Sequence, residues 1–164
     1  MKTNKKLIPF FIAAAVIICC ALASRFLVQL AIIDGESMEP TYRGFQFVFV
    51  TKTDSDFQRG DVIAFNCENA GRLIKRIAAV PGDRIVIRGG RVFVNGEESP
   101  VYRGAEVKYP GAAGNEILLG DSEFFVLGDN LSQSKDSRYE AVGIVDGTKI
   151  IGKVIPQKSL KASR

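Results

Sequence analysis

The 164-residue chain contains no histidine. Within this chain that excludes a Ser-His-Asp triad, a Cys-His dyad and any His-based zinc site. Nucleophilic catalysis here would need another base. The chain has only three cysteines, and they build no framework. Cys19 and Cys20 are adjacent inside an apolar run, and Cys67 stands alone, so neither a disulfide scaffold nor a metal cluster is expected. No internal repeat is present, and no helical period of useful length follows residue 33. No basic stripe is interleaved with aromatics, which argues against a nucleic-acid partner. The net charge of +4 is modest, and part of it lies at the ends, in Lys2, Lys5, Lys6 and in Lys158, Lys161, Arg164. That distribution suits an anionic membrane surface better than a nucleic-acid groove.

What is present begins with residues 7–23, uncharged and almost wholly apolar behind three lysines. At about 1.5 Å per residue the run reaches roughly 25 Å, slightly short of a ~30 Å hydrocarbon core. Arg25 can snorkel to the interface and let a helix continue. Two readings stand side by side. Ala21-Leu22-Ala23 has the small-x-small form of a signal-peptide cleavage site. The same run reads as an uncleaved anchor, with the basic N-terminus inside and the domain outside. Either way the rest of the chain is exported. Removing the run leaves roughly 130 residues, enough for one domain with its own core.

From Gly44 onward the texture is β. Residues 45–50 place phenylalanine at every second position, and residues 61–65, 73–80 and 123–127 read as further strands. Residues 85–94 form a hairpin about Gly89-Gly90, with Asn95-Gly96 as the next turn. Residues 143–145 and 149–155 supply the last strands. Residues 97–116 are rich in Gly, Pro and charge and read as a loop or weakly structured excursion. The soluble part is therefore expected to be all-β.

Three stretches carry candidate chemistry. Ser37 lies between Gly35 and Pro40, in backbone that local chemistry holds irregular. It reads as a turn serine or as a nucleophile aimed into a cleft. A nucleophilic serine needs a base, and without histidine the leading substitute is lysine, neutral only if its pKa falls on burial. In an extended strand Lys75 shares a face with Leu73, Ile77 and Ala79, opposite Ile74, Arg76 and Ala78. It reads as a buried base or as a lysine snorkelling off an edge strand. Asp136 and Arg138 read as an ion pair holding a loop, and Ser134 as a turn hydroxyl or an orienter for a lysine base. Residues 129–140 have EF-hand length, but Leu131, Gln133 and Ser134 occupy positions that calcium binding requires otherwise. Arg59-Gly60-Asp61 reads as a turn into a strand.

Taken in order, four blocks resemble those of the type I signal peptidases, membrane-anchored Ser/Lys serine proteases of the compact Gram-positive-like type. They are Ser37-Met38-Glu39-Pro40-Thr41; residues 59–65; Lys75-Arg76-Ile77 through Pro81-Gly82-Asp83; and Gly128-Asp129-Asn130 with Ser134, Asp136, Ser137 and Arg138. The resemblance runs from the N-terminal run to about Val154. It implies a core of coiled antiparallel sheets behind one N-terminal transmembrane helix. It implies a cytoplasmic stretch at 1–6, an anchor at 7–25 and an extracytoplasmic peptidase domain at 26–164. Ser37 would attack the scissile carbonyl, Lys75 would take its proton, Ser134 would orient Lys75, and Asp136 and Arg138 would brace the site. The Ser37 N–H would be one oxyanion donor. Some family members place a second donor on a serine where this chain has Gly35. The substrates implied are preprotein signal peptides cut at the membrane surface, with no cofactor or metal. Ile32, Ile33 and Ile74 flank Ser37, with Ile33 and Ile74 the expected walls of shallow pockets for small residues. The anchor is expected to stay attached, since such an enzyme meets its substrates at the bilayer. The competing reading is a catalytically idle β-domain, anchored or secreted, that binds peptides. The related SOS-repressor peptidases share the chemistry but carry no anchor.

Overall fold

The computed structural model describes residues 9, 11–16, 27–52 and 56–156. Pro9 and residues 11–16 are helical. No helix among the described residues is long and apolar enough to cross a membrane. Most of the expected anchor, including residues 17–25, lies outside them.

The rest is antiparallel sheet, as the alternating texture implied. Eleven strands follow in chain order: β1 Val28–Ile33, β2 Gln46–Thr51, β3 Val62–Cys67, β4 Gly71–Ala79, β5 Arg84–Arg88, β6 Arg91–Val94, β7 Glu97–Glu98, β8 Ile117–Leu118, β9 Glu123–Leu127, β10 Val145–Asp146 and β11 Ile150–Val154. One sheet has seven strands in the order β1-β2-β11-β3-β4-β9-β10, and the other has four in the order β7-β6-β5-β8. The Gly89-Gly90 turn pairs Arg88 with Arg91, as its glycines require, both having φ above +50°. Arg59 and Gly60 form the expected turn into β3.

Strand alternation decides where each side chain goes. In β1 and β2 the inward residues are Ala31, Ile33, Val48 and Val50, which pack with Met38, Tyr42 and Ile74. Their neighbours Leu30, Ile32, Phe45 and Phe49 are all more than half exposed. Ile32 thus faces away from the Ile33 side. Two successive strand residues point to opposite faces and cannot wall one pocket. On β4, Leu73 and Ile77 join one cluster and Ile74 another, as alternation dictates. The register slips between Ile77 and Ala79, so Ala78 and Ala79 both enter a third cluster. The expected separation of Ala79 from Ala78 is lost because a bulge resets the period.

The excursion at 97–116 is firmly packed. It carries β7 and a 3₁₀ turn at Gly111–Gly114, and it buries Tyr102, Val107 and Ala113 against β5, β6 and β9 residues. Glycine and proline there shape a specific path along the core.

Candidate active site

Ser37 lies just beyond β1, in a turn that runs on to Thr41. The turn is closed by bonds from Glu39 N to Glu36 O at 3.1 Å and from Tyr42 N to Met38 O at 2.9 Å. Met38 is wholly buried and ties the turn to the core, while Ser37 beside it stays half-buried. Gly35 opens the turn at φ +83°, a conformation that suits glycine, and the space beside it is open.

Lys75 comes to the same place from the middle of β4. Its cross-strand partner is Ile63, and it is 4% exposed. Lys75 Nζ and Ser37 Oγ are hydrogen-bonded at 2.6 Å. Burial lowers the Lys75 pKa from its ordinary value, while the carboxylates of Asp136 and Asp129 push it back up. The snorkelling alternative is excluded by this burial.

The loop after β9 closes the site. Ser137 binds back onto β9, accepting the Val126 N–H on Oγ at 3.0 Å and donating its own N–H to Val126 O at 3.1 Å. Asp136 and Arg138 are 0% and 2% exposed. Arg138 donates Nε to Asp136 Oδ1 at 2.7 Å and Nη2 to Oδ2 at 2.9 Å. Its Nη2 also reaches the Leu131 and Ser134 carbonyls. Asp136 Oδ2 accepts the Gly128 N–H at 3.0 Å. Asn130 N–H donates to the Ser37 carbonyl at 3.1 Å, so this loop touches the backbone of Ser37 itself. Gly128 sits where Ser37 O and the Ser134 hydroxyl converge, and a methyl group there would collide with both.

Ser134 is 2% exposed, and its hydroxyl has no hydrogen-bond partner among the described residues. The structure brings it beside Gly128 and Ser37 without a bond to Lys75. Ile33 and Ile74 are buried in one cluster with Met38. No group of metal-ligating side chains occurs among the described residues.

Some supporting residues carried no role in the sequence reading. Arg76 donates to both Asp129 oxygens, at 2.7 and 2.6 Å, and to Gly60 O at 2.6 Å. Asp83 accepts the Val80 N–H at 2.9 Å and an Asn95 amide at 2.9 Å, and it pairs with Arg59. Arg76 directly follows Lys75 and Asp129 directly follows Gly128, so adjacency was the available signal.

A serine hydroxyl against a desolvated lysine amine, on an all-β frame, fits the class of serine peptidases that work without histidine. The comparisons narrow that class. The family described as signal peptidase, peptidase S26, matches residues 5–156, and the chain belongs to this family. It is 34% identical over 165 residues to a signal peptidase I of Bacillus amyloliquefaciens, covering 92% of this chain and 88% of that protein. It is 30% identical over 172 residues to a signal peptidase IB of Staphylococcus aureus, with the same coverages of 92% and 88%. The crystal structure of a signal peptidase I from Enterococcus faecalis V583 superposes with a TM-score of 0.50 at 27% identity, covering 61% of this chain and 97% of that one.

Proposed function

We propose that this chain is a membrane-bound signal peptidase that removes N-terminal signal peptides from exported preproteins through an acyl-enzyme. The observation that carries the reading is the 2.6 Å contact between Ser37 Oγ and the buried Lys75 Nζ. With the amine neutral, the hydroxyl donates to it. Lys75 takes the proton as Ser37 attacks the scissile carbonyl, and returns it to the leaving amine. Water then repeats the sequence on the ester and releases the cleaved signal peptide. The Ser37 N–H has no partner among the described residues and is the first oxyanion donor. Gly35 has no side chain, so a second donor is backbone or water. Ser134, whose hydroxyl converges with the Ser37 carbonyl on Gly128, orients the lysine when substrate tightens the site. Asp136 and Arg138 brace it.

Membrane attachment is part of the proposal. Residues 7–25 anchor the chain, with residues 1–6 cytoplasmic and the β-domain outside. Support comes from the exposed apolar face of β1 and β2, which follows the run directly in sequence. Leu30, Ile32, Phe47 and Phe49 lie on it, Phe45 just before β2 is exposed as well, and so large an apolar surface suits lipid. The buried Ile33 and Ile74 favour shallow walls beside Ser37, fitting small side chains and excluding large ones by clash.

The test is cleavage of a preprotein by the detergent-solubilised full chain, beside Ser37→Ala and Lys75→Arg. Processing at one site by the unsubstituted chain, lost in both variants, is expected. No processing by the unsubstituted chain would leave a peptide-binding β-domain as the better reading.

A further inference from the structure

The excursion at 97–116 is built against the back of the site. Ala112 N–H donates to the Arg138 carbonyl at 3.0 Å, and Arg138 Nη1 donates to the Tyr109 carbonyl at 3.3 Å. The Tyr109 and Tyr139 rings lie with centroids 5.0 Å apart. Gly111, at φ +54°, sits against the Arg138 main chain. A Cβ built on it would lie 2.8 Å from the Arg138 carbonyl carbon and 2.9 Å from its Cβ. Backbone cannot yield to such contacts as a flexible side-chain end can. Farther along, Tyr102 is buried with its hydroxyl 3.5 Å from Leu127 O, where β9 gives way to Gly128.

We propose that the turn at 109–113 is a positioning element of the active site, with Gly111 as the positioning residue. The path from it to the nucleophile consists of contacts already described. Gly111 and Ala112 hold Arg138; Arg138 holds Asp136 and the Ser134 carbonyl; Asp136 holds the Gly128 amide; and Asn130, two residues on, holds the Ser37 carbonyl. The turn touches neither Ser37 nor Lys75, and it rests on the peptidase reading of those two.

The sign of the effect follows from the charges facing Lys75. Asp136 and Asp129 face it from the loop after β9. Arg138 neutralises the first and Arg76, on its own strand, the second. Tyr102 also lies near these groups, with burial raising its pKa, so it is uncharged. Pushing Arg138 outward leaves Asp136 less neutralised and admits water. Both changes favour the ammonium form of Lys75.

The experiment compares Gly111→Ala with Gly104→Ala in the full chain. Gly104 belongs to the same excursion and has φ +80°, with open space beside it. It therefore carries the same backbone penalty without touching Arg138. Two readouts are followed: kcat and KM for a preprotein across pH, and the direct NMR titration of Lys75 with ¹³C-labelled lysine, assigned by its loss in Lys75→Arg. For Gly111→Ala the Lys75 titration and the acid limb of kcat are expected to move up by about one pH unit. At fixed pH on that limb kcat then falls about tenfold with KM little changed. Gly104→Ala is expected to leave both where they were. Tyr109→Ala, which keeps the Tyr109 carbonyl and removes the ring, is expected to move both in the same direction by less. A folded Gly111→Ala with the parent's titration would overturn the proposal, as would an equal shift in Gly104→Ala. If Gly111→Ala does not fold, an unshifted Tyr109→Ala would overturn it. The titration reads the loop whether or not the chain cleaves. A shifted titration beside an inactive parent would count against the peptidase reading alone.

Discussion

Arg76 and Asp129 meet side-on, Nε to Oδ1 at 2.7 Å and Nη2 to Oδ2 at 2.6 Å, one residue beyond Lys75 and Gly128. The pair joins β4 to the loop that closes the site. Both side chains are largely buried, at 19% and 9% exposed. Asp129→Ala leaves the guanidinium buried without its carboxylate. The expected cost is about 3 kcal/mol, read as a fall in Tm of roughly 6–12 °C. Cleavage is expected to fall as well. Equal thermal stability in the variant would show that water replaces the carboxylate at no cost.

Lys75 sets a stability trade. Its folded pKa lies below its unfolded value of about 10.4, so between the two the unfolded chain binds more protons. Stability contributed at this position therefore rises with pH across that window. Lys75→Met is expected to be inactive yet more stable at neutral pH, by on the order of 1 kcal/mol. The gain should shrink as pH rises past the unfolded value of about 10.4, above which the parent's amine is neutral in both states. Urea unfolding of parent and variant at several pH values measures it. A pH-independent difference would mean that Lys75 titrates at its ordinary value.

Ser134 separates orientation from stability. Its buried hydroxyl has no partner among the described residues, so removing it costs the fold little. Ser134→Ala is expected to keep its Tm while cleavage drops, by no more than roughly 10²-fold and well short of the loss in Lys75→Arg. Parallel calorimetry and preprotein cleavage decide the point. Full activity would remove Ser134 from the mechanism.

The outward face of β1 and β2 gives a prediction about the bilayer. Phe45 and Phe49 are 80% and 51% exposed. The double variant Phe45→Ser, Phe49→Ser is expected to raise KM several-fold for a preprotein in lipid vesicles. Its kcat/KM for a soluble peptide should stay near the parent's. Identical effects on both substrates would place the two residues in substrate binding and not against lipid.

How far the sequence carried these conclusions depended on whether a period was present. Lys75 was legible as a candidate because histidine is absent and because the strand period puts apolar Leu73 and Ile77 on its own face. The inward set of β2 was legible as a pattern but not in its sign. Phe45, Phe47 and Phe49 alternate with Val48 and Val50, and both faces are apolar, so period alone does not say which one meets the core. The bulge after Ile77 has no local signature in Ala78-Ala79. Tyr102, Val107 and Ala113 are spaced by neither 2 nor 3.6 residues, which is why a buried brace read as a loop. Arg76 and Asp129 were visible only as neighbours of candidate site residues, since an ion pair between distant segments leaves no spacing to read.

The order of strands in the larger sheet bears on when the protein becomes active during its synthesis. The pair β1-β2, which leads to and from Ser37, and the pair β3-β4, which carries Lys75, are bridged by β11, made last. β11 pairs with β2 at Lys153 and Val154 and with β3 at Ile150, Gly152 and Lys153. Gly152 packs so closely on the Thr51 carbonyl that no larger residue fits. Until Ile150–Val154 has left the ribosome, the β1-β2 pair and the β3-β4 pair lack the strand that joins them within the sheet. Stalled chains ending before Ile150 are expected to be silent in a coupled translation and cleavage assay, and chains extended through Val154 and released from the ribosome to be active.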